Sequence, residues 1–372
     1  MELTLTEEQQ ALKDTLNRFI AQDYDAKARH AAIAAPGGFS AANWRQFADL
    51  GLLALPFAEA HGGLNGSAID TMVVMESIGR GLIVEPYLST VVLCGGLVQA
   101  CGNEAQQADI LPAIASGDLL MAFAHYESGG RYEIEQVSLT AQPSGSGYML
   151  DGSKTCVLDG ETANRLIVSA REGRGLSLFL VDRNAPGISV TGYATQDDGR
   201  AADIRFDRVT VSAEARLGPA GEAEAAILRA MDSVHAALCA EAVGAMEALN
   251  AATLEYLKTR KQFGVPIGSF QALQHRMVDM ATATEQARSM AVLAAIRVQS
   301  GSEAERRWAT SAARVLVGEA ARLVGQQAVQ LHGGMGVTDE LIVSHYFRRL
   351  TAINLSFGDV DHHLGYVSDA LL

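Results

Sequence analysis

The chain has 372 residues, 48% of them hydrophobic and 19% charged, which is ordinary for a globular protein and enough to bury several cores. A formal charge of −14 excludes broad binding to nucleic acid or anionic membranes, so any anionic ligand must be held by local cations. No apolar run can span a bilayer, Met1-Glu-Leu-Thr-Leu-Thr6 lacks a signal-peptide pattern, and Cys94, Cys101, Cys156 and Cys239 show no CxxC spacing, so the chain reads as soluble and cytoplasmic with buried thiols.

Thr6-Glu-Glu-Gln9 is a capping box ahead of an amphipathic run, Ala11, Leu12, Leu16, Phe19 and Ile20. Helical patterns continue through Trp44–Leu53 until Pro56 and the loop Ala60-His-Gly-Gly-Leu-Asn-Gly66 interrupt; Ser67 restarts a helix, and another covers Thr90–Ala100. His61-Gly62-Gly63 resembles a phosphate loop only superficially, because no strand precedes it and no Gly-Lys-Ser/Thr follows. Residues 1–117 are thus expected to form an N-terminal helical domain. From Leu119 the period changes to two. Val137–Ala141, the turn Pro143–Gly147 and Tyr148–Leu150 predict a hairpin, with further strands at Leu166–Ser169, Leu176–Val181, Ile188–Thr191 and Ala202–Val211. The separators leave no room for crossover helices, so residues 118–220 predict an antiparallel β-barrel or sandwich. Residues 221–372 return to long Ala- and Leu-rich helical segments, Ala225–Lys261, Ser269–Gln299, Glu303–Leu331 and Leu341 onward, which predict a four-helix bundle. The fold class is therefore multidomain α+β.

Two stretches in the last region interrupt the pattern. Gly264, Pro266 and Gly268 break a helix that Ser269 is expected to restart as N-cap. The break presents Arg260, Gln262 and Phe263 at a helix end, where a guanidinium offers a fork of donors to phosphate and a phenyl ring offers a flat face. Gln330-Leu-His-Gly-Gly-Met-Gly336 ends another helix with adjacent glycines that permit close backbone approach. On spacing alone, a solvated Arg, a core Phe and a Gly-rich helix stop explain both stretches.

Arg260-Lys-Gln-Phe-Gly264, with Ile267, Phe270-Gln271 and Asp279-Met280, resembles the signature of the acyl-CoA dehydrogenase family, and Gln330–Gly336 resembles that family's second signature. The resemblance implies the same order of helical, β and helical domains. It also implies FAD as cofactor and oxidation of an acyl-CoA to the 2-enoyl-CoA, with electrons passed to an electron-transfer flavoprotein-type acceptor. In the family both segments reach across a subunit interface. The resemblance therefore assigns Arg260, Gln262, Phe263, Gln330, Leu331, Gly333 and Gly334 to the pyrophosphate and adenosine of a neighbour's FAD.

The chain departs from the family where the chemistry is done. Proton removal beside the thioester carbonyl needs a carboxylate, which many members carry in Tyr-Glu-Gly-Thr; the matching stretch here is Ser356-Phe-Gly-Asp359. The alternative base position on the first long helix of the last domain falls at Val234. Glu241 is the remaining catalytic candidate, although it lies seven residues later and about 10 Å along the axis, and a structural, hydrogen-bonded carboxylate among Ala and Val is the preferred reading of it. The flavin-cradling segment reads Phe123-Ala-His-Tyr-Glu-Ser128, with Tyr126 at a threonine position, and the ring-flanking Trp-x-Thr element reads Cys156-Val-Leu158. Asp359-Val-Asp-His-His363 is not expected to bind metal, since adjacent histidines on a helix diverge by about 100°.

The chain thus resembles the non-catalytic subunit of heteromeric (α2β2) bacterial acyl-CoA dehydrogenases acting on steroid side chains or pimeloyl-CoA, with a homologous catalytic subunit as partner. A homomeric FAD enzyme using Glu241 and a flavin-free structural homologue are the alternatives.

Overall fold

The computed structural model describes residues 4–370. Helices α1 (Glu7–Asp23), α2 (Ala26–Ala34), α3 (Ala41–Asp49) and α4 (Ala68–Gly81) precede a π-helical run, Leu88–Gly95, which continues as α5 (Gly96–Cys101) and is followed by α6 (Glu104–Ala115). Then come β1 (Met121–Ala124), β2 (Thr140–Ser144), β3 (Gly147–Leu158), β4 (Arg165–Glu172), β5 (Gly175–Asp182), β6 (Ile188–Ala194), β7 (Arg200–Ser212) and β8 (Arg216–Leu217). The last stretch holds α7 (Glu224–Thr259), the short pair β9 (Lys261–Gln262) and β10 (Val265–Pro266), α8 (Gln271–Ser300), α9 (Glu303–His332), α10 (Ile342–Leu355) and α11 (Val360–Asp369). The helical, β, helical order is the one expected.

The chain divides into two compact units, Met1–His30 with Ala68–Ile83 and His235–Leu372, and Ala31–Ser67 with Val84–Val234. In the second unit the sheet runs β6-β7-β3-β2-β4-β5-β8, with β1 alongside β4. Alternation along β7 sends Ala202, Ile204 and Phe206 into a core shared with Leu150, Val168 and Phe179, and leaves Asp203 and Arg205 outside. The sheet is mixed rather than wholly antiparallel, because β1 pairs parallel to β4, Met121 opposite Arg165. All four residues of β1 are buried, so it has no alternation to betray it. The π-helical run is tied down by Thr90 Oγ1 donating to Met121 O at 3.1 Å and by Ser89 Oγ donating to Asp159 Oδ2 at 2.5 Å.

In the first unit α4 and α7 cross at backbone contact. A Cβ on Gly79 would lie 1.9 Å from Glu241 O, and one on Gly244 would lie 1.8 Å from Glu76 O, so only glycine allows this approach. Around the crossing, Glu76 accepts from Lys13 and Arg288 at 2.9 Å each, and Glu247 engages both Arg80 and Arg288. Carboxylates taken out of water in this way are stable only because each is paired. The α9 helix packs against α8, α10 and α11.

Two expectations are corrected. Ser269 does not cap α8: its hydroxyl donates to Pro266 O at 2.7 Å inside a 3₁₀ turn, and Phe270 occupies the N-cap position without a side-chain bond. Nor are all four thiols buried. Cys94 and Cys239 are, Cys101 is half-buried, and Cys156 is exposed, turned outward where the β3–β7 register shifts between Lys154 and Val157. Among the described residues no helix is long and apolar enough to cross a membrane.

Candidate functional site

The first signature is built on the end of α7. Arg260 N donates to Tyr256 O at 2.8 Å, and Ile267 N donates back to Arg260 O at 2.8 Å, closing a hairpin in which Gln262 pairs with Val265 and Lys261 with Pro266. Its two-residue turn needs positive φ at both positions, met by Phe263 at 54° and Gly264 at 82°. Positive φ is costly for a bulky residue, yet Phe263 is 91% exposed, with its ring edge-on to Phe270 at 6.2 Å between centroids. Arg260 and Gln262 are exposed beside it. An aromatic held in a strained turn and facing solvent gains nothing from this unit's own core.

The second signature ends α9. Gly333 closes the helix at φ 63°, ψ −143°, a conformation open essentially to glycine alone, and donates to Gln330 O. Gln330, Gly333 and Gly334 are exposed, Leu331 is buried, and a Cβ on either glycine would meet nothing within 4 Å. Room outside the chain, and not internal packing, is therefore what Gly334 leaves open. The ends of α7 and α9 meet through a residue that sequence reasoning missed. Tyr256 lies 4.3 Å from the His332 ring, centroid to centroid, and its hydroxyl reaches His332 O at 3.4 Å. Its only signal in the sequence is its place one helical turn before Arg260.

The possible base positions hold no free carboxylate. Glu241, 2% exposed, is gripped by Arg349 through both oxygens, Nε to Oε1 at 2.6 Å and Nη2 to Oε2 at 2.9 Å. Asp359 caps α11, its Oδ1 accepting from His362 N at 2.9 Å. Phe357 sits in a left-handed turn, φ 57°, with its carbonyl accepting from His235 Nε2 at 3.0 Å. The turn is clamped further by Arg314, whose Nη2 donates to Ile353 O, Ser356 O and Gly358 O at 2.8 Å each. Burial, then the Arg314 charge, lowers the pKa of His235 to about 3, so it is neutral here. The His363 ring stands edge-on to His235 at 4.6 Å and is held below the ordinary histidine range by burial and that same histidine.

His30, Asp339 and His345 have metal-like spacing. Arg29 and Arg348 both donate to His345 Nδ1, at 3.1 and 2.9 Å, which places the ring proton on Nε2, facing Asp339 O at 2.9 Å. Two guanidiniums against that ring oppose a third cation.

Family models for the acyl-CoA dehydrogenase N-terminal, middle and C-terminal domains match residues 6–118, 122–209 and 225–372. Acyl-CoA dehydrogenase FadE27 of Mycobacterium tuberculosis is 31% identical over 82% of this chain and 81% of its own length. The chain belongs to the acyl-CoA dehydrogenase family. Two solved structures are similar throughout. One is a variant of the Tcur3481-Tcur3483 steroid ACAD (29% identity, TM-score 0.90, 99% of this chain and 98% of that one). The other is the ChsE4-ChsE5 complex from Mycobacterium tuberculosis (27%, TM-score 0.91, 100% and 99%). Acyl-CoA dehydrogenases are FAD-dependent oxidoreductases of acyl-CoA thioesters.

Within this acyl-CoA dehydrogenase the segments matched to the flavin cradle are occupied by their own contacts. Lys154 is wholly buried, donating to His125 O at 2.9 Å, Glu127 Oε1 at 2.8 Å and Ser169 Oγ at 3.0 Å. Burial lowers its pKa to about 8 against the opposing pull of Glu127. The Phe123 ring stacks on His125 at 5.1 Å, and His125 meets Tyr126 edge-on at 5.1 Å. At the ring-flanking position the Cys156 amide donates to Asp203 Oδ1 at 3.1 Å, and the same oxygen accepts from Tyr193 Oη at 3.1 Å. That amide is spent within the chain.

Proposed function

We propose that this chain is the partner subunit of a heteromeric, cytoplasmic acyl-CoA dehydrogenase, α2β2, that completes a FAD site on a homologous catalytic subunit. The observation that carries this reading is an asymmetry. In the two segments that would grip a neighbour's coenzyme, Arg260, Gln262, Phe263, Gln330, Gly333 and Gly334 are exposed, while Phe357, Val234 and the Arg349-bound Glu241 leave no carboxylate free as a base. Arg260 would face the pyrophosphate, Phe263 and Gln262 the adenosine side, and the Gln330–Gly334 turn would let backbone come close to the cofactor. When bound, FAD supplies the acceptor for the hydride leaving the acyl chain, and reoxidation falls to a flavoprotein acceptor. The proton beside the thioester carbonyl must then go to a carboxylate of the catalytic partner. The similarity to subunits of the two solved complexes supports the heteromer, and the first of them, described as a steroid ACAD, supports a bulky acyl-CoA.

Flavin counting tests this. Expressed alone, the chain should retain little FAD; co-expressed with the partner, the assembly should be yellow and active, and Arg260→Ala should strip its flavin. A homomer saturated at one FAD per chain would overturn the proposal. The second reading, a homomeric enzyme with Glu241 as relocated base, requires that carboxylate to leave Arg349. An unchanged flavin content in Arg260→Ala would favour a flavin-free structural homologue.

A further inference from the structure

We infer that Tyr256 is a positioning residue that sets the two FAD-gripping segments in register, acting through its tilted ring contact with His332. This rests on the reading that both segments hold one FAD. The hairpin bearing Arg260, Gln262 and Phe263 has only two residue pairs and an exposed tip, so it cannot fix its own place. Tyr256 is tied to it directly, because its carbonyl accepts the Arg260 amide at 2.8 Å. On the other side its ring lies 4.3 Å from the His332 ring at 31°, and its hydroxyl meets the His332 carbonyl, one residue before Gly333.

His332 cannot swing away. It is buried and its Nδ1 is bonded to Ala328 O at 2.8 Å, which fixes the ring over its own helix. Burial holds its pKa below the ordinary value, which disfavours a charge on the ring beneath Tyr256. One side chain thus joins the last turn of α7 to the last turn of α9. Arg260 and the Gly333-Gly334 turn come to a common ligand at a spacing that Tyr256 and His332 define. A planar donor fork loses affinity steeply when misplaced, so this spacing should govern FAD affinity.

The test uses the FAD-loaded assembly of the full chain with its partner subunit, comparing Tyr256→Leu, Tyr256→Phe and Arg260→Ala by FAD dissociation constant and unfolding midpoint. Tyr256→Leu should weaken FAD by about tenfold or more, and Tyr256→Phe, which keeps the ring, should recover most of that. The Tyr256→Leu loss should shrink when Arg260 is already alanine, a coupling that a general packing role would not produce. Wild-type FAD affinity in Tyr256→Leu, with Arg260→Ala weakened, would overturn the inference and leave the functional reading intact. Wild-type affinity in Arg260→Ala would overturn both. Should Tyr256→Leu fail to fold, His332→Gln removes the ring contact from the other side; it should weaken FAD similarly, and wild-type affinity there would overturn the inference.

Discussion

A general base must be free to take a proton, and Glu241 is committed instead to a two-point ion pair. Both oxygens face Arg349, which is 27% exposed, so the pair is screened more than a fully buried one would be. Glu241→Gln should destabilise the protein by roughly 2–3 kcal/mol in denaturant unfolding, since it leaves the guanidinium under-compensated, while turnover of the intact assembly stays unchanged. Lost turnover in a folded variant would return Glu241 to the mechanism. The two signature glycines separate in the same way. Gly333→Ala forces a side chain into a conformation open only to glycine and should cost about 1–3 kcal/mol in unfolding free energy. Gly334 has no such backbone constraint and open space around it, so Gly334→Ala should unfold like wild type yet bind FAD more weakly, because the methyl group would meet the ligand. At this scale the sequence marks out candidate positions but not what holds them. Arg349 lies 108 residues from Glu241, and Asp203 lies 47 from the Cys156 amide it caps. No local pattern predicts such partners, because they meet only after the elements pack.

Some elements were legible from their own ends, though α6, capped by Asn103 and Gln106, was not picked out. Thr6 and Gln9 form the reciprocal capping box that the sequence announces, and α9 opens with another from Ser302 and Glu305. Ser269 failed as a cap because it is the last residue of the 3₁₀ turn Ile267–Ser269, and Phe270 takes the N-cap position one residue later. β1 was missed because burial on both faces erases the period, and the π-helical run 88–95 carries the same apolar pattern as an α-helix. The β9–β10 hairpin is the element to which the proposed function gives a purpose outside its own unit. Phe263→Ala should shift the unfolding midpoint very little, since an exposed ring contributes within about 0.5 kcal/mol, and should even relieve part of the φ strain. The same variant should lower FAD retention in the assembly. A large loss of stability would mean that the ring is packed, and the hairpin would then be structural.

At the scale of the whole molecule the turn around Phe357 carries a cost in acid. His235 holds the Phe357 carbonyl as a neutral ring, and the groups it faces include the Arg314 and Arg307 guanidiniums and the His362 and His363 rings. Its pKa falls from 6.5 unfolded to about 3 folded, so between those values the unfolded chain binds a proton that the folded chain refuses. Folding stability therefore rises with pH across this window and is lost as pH drops below about 6.5, by up to about 1.4 kcal/mol per pH unit for each such histidine. His363, depressed by burial and by His235, adds to the slope in the same direction. Most carboxylates stay ionised between pH 5 and 6.5, which isolates the histidine contribution. Denaturant unfolding over that interval should show a fall in stability toward pH 5 that flattens in His235→Gln, a variant that can still donate to Phe357 O but cannot charge. A slope of equal steepness in the variant would mean that the acid sensitivity originates elsewhere and that this clamp is indifferent to protons.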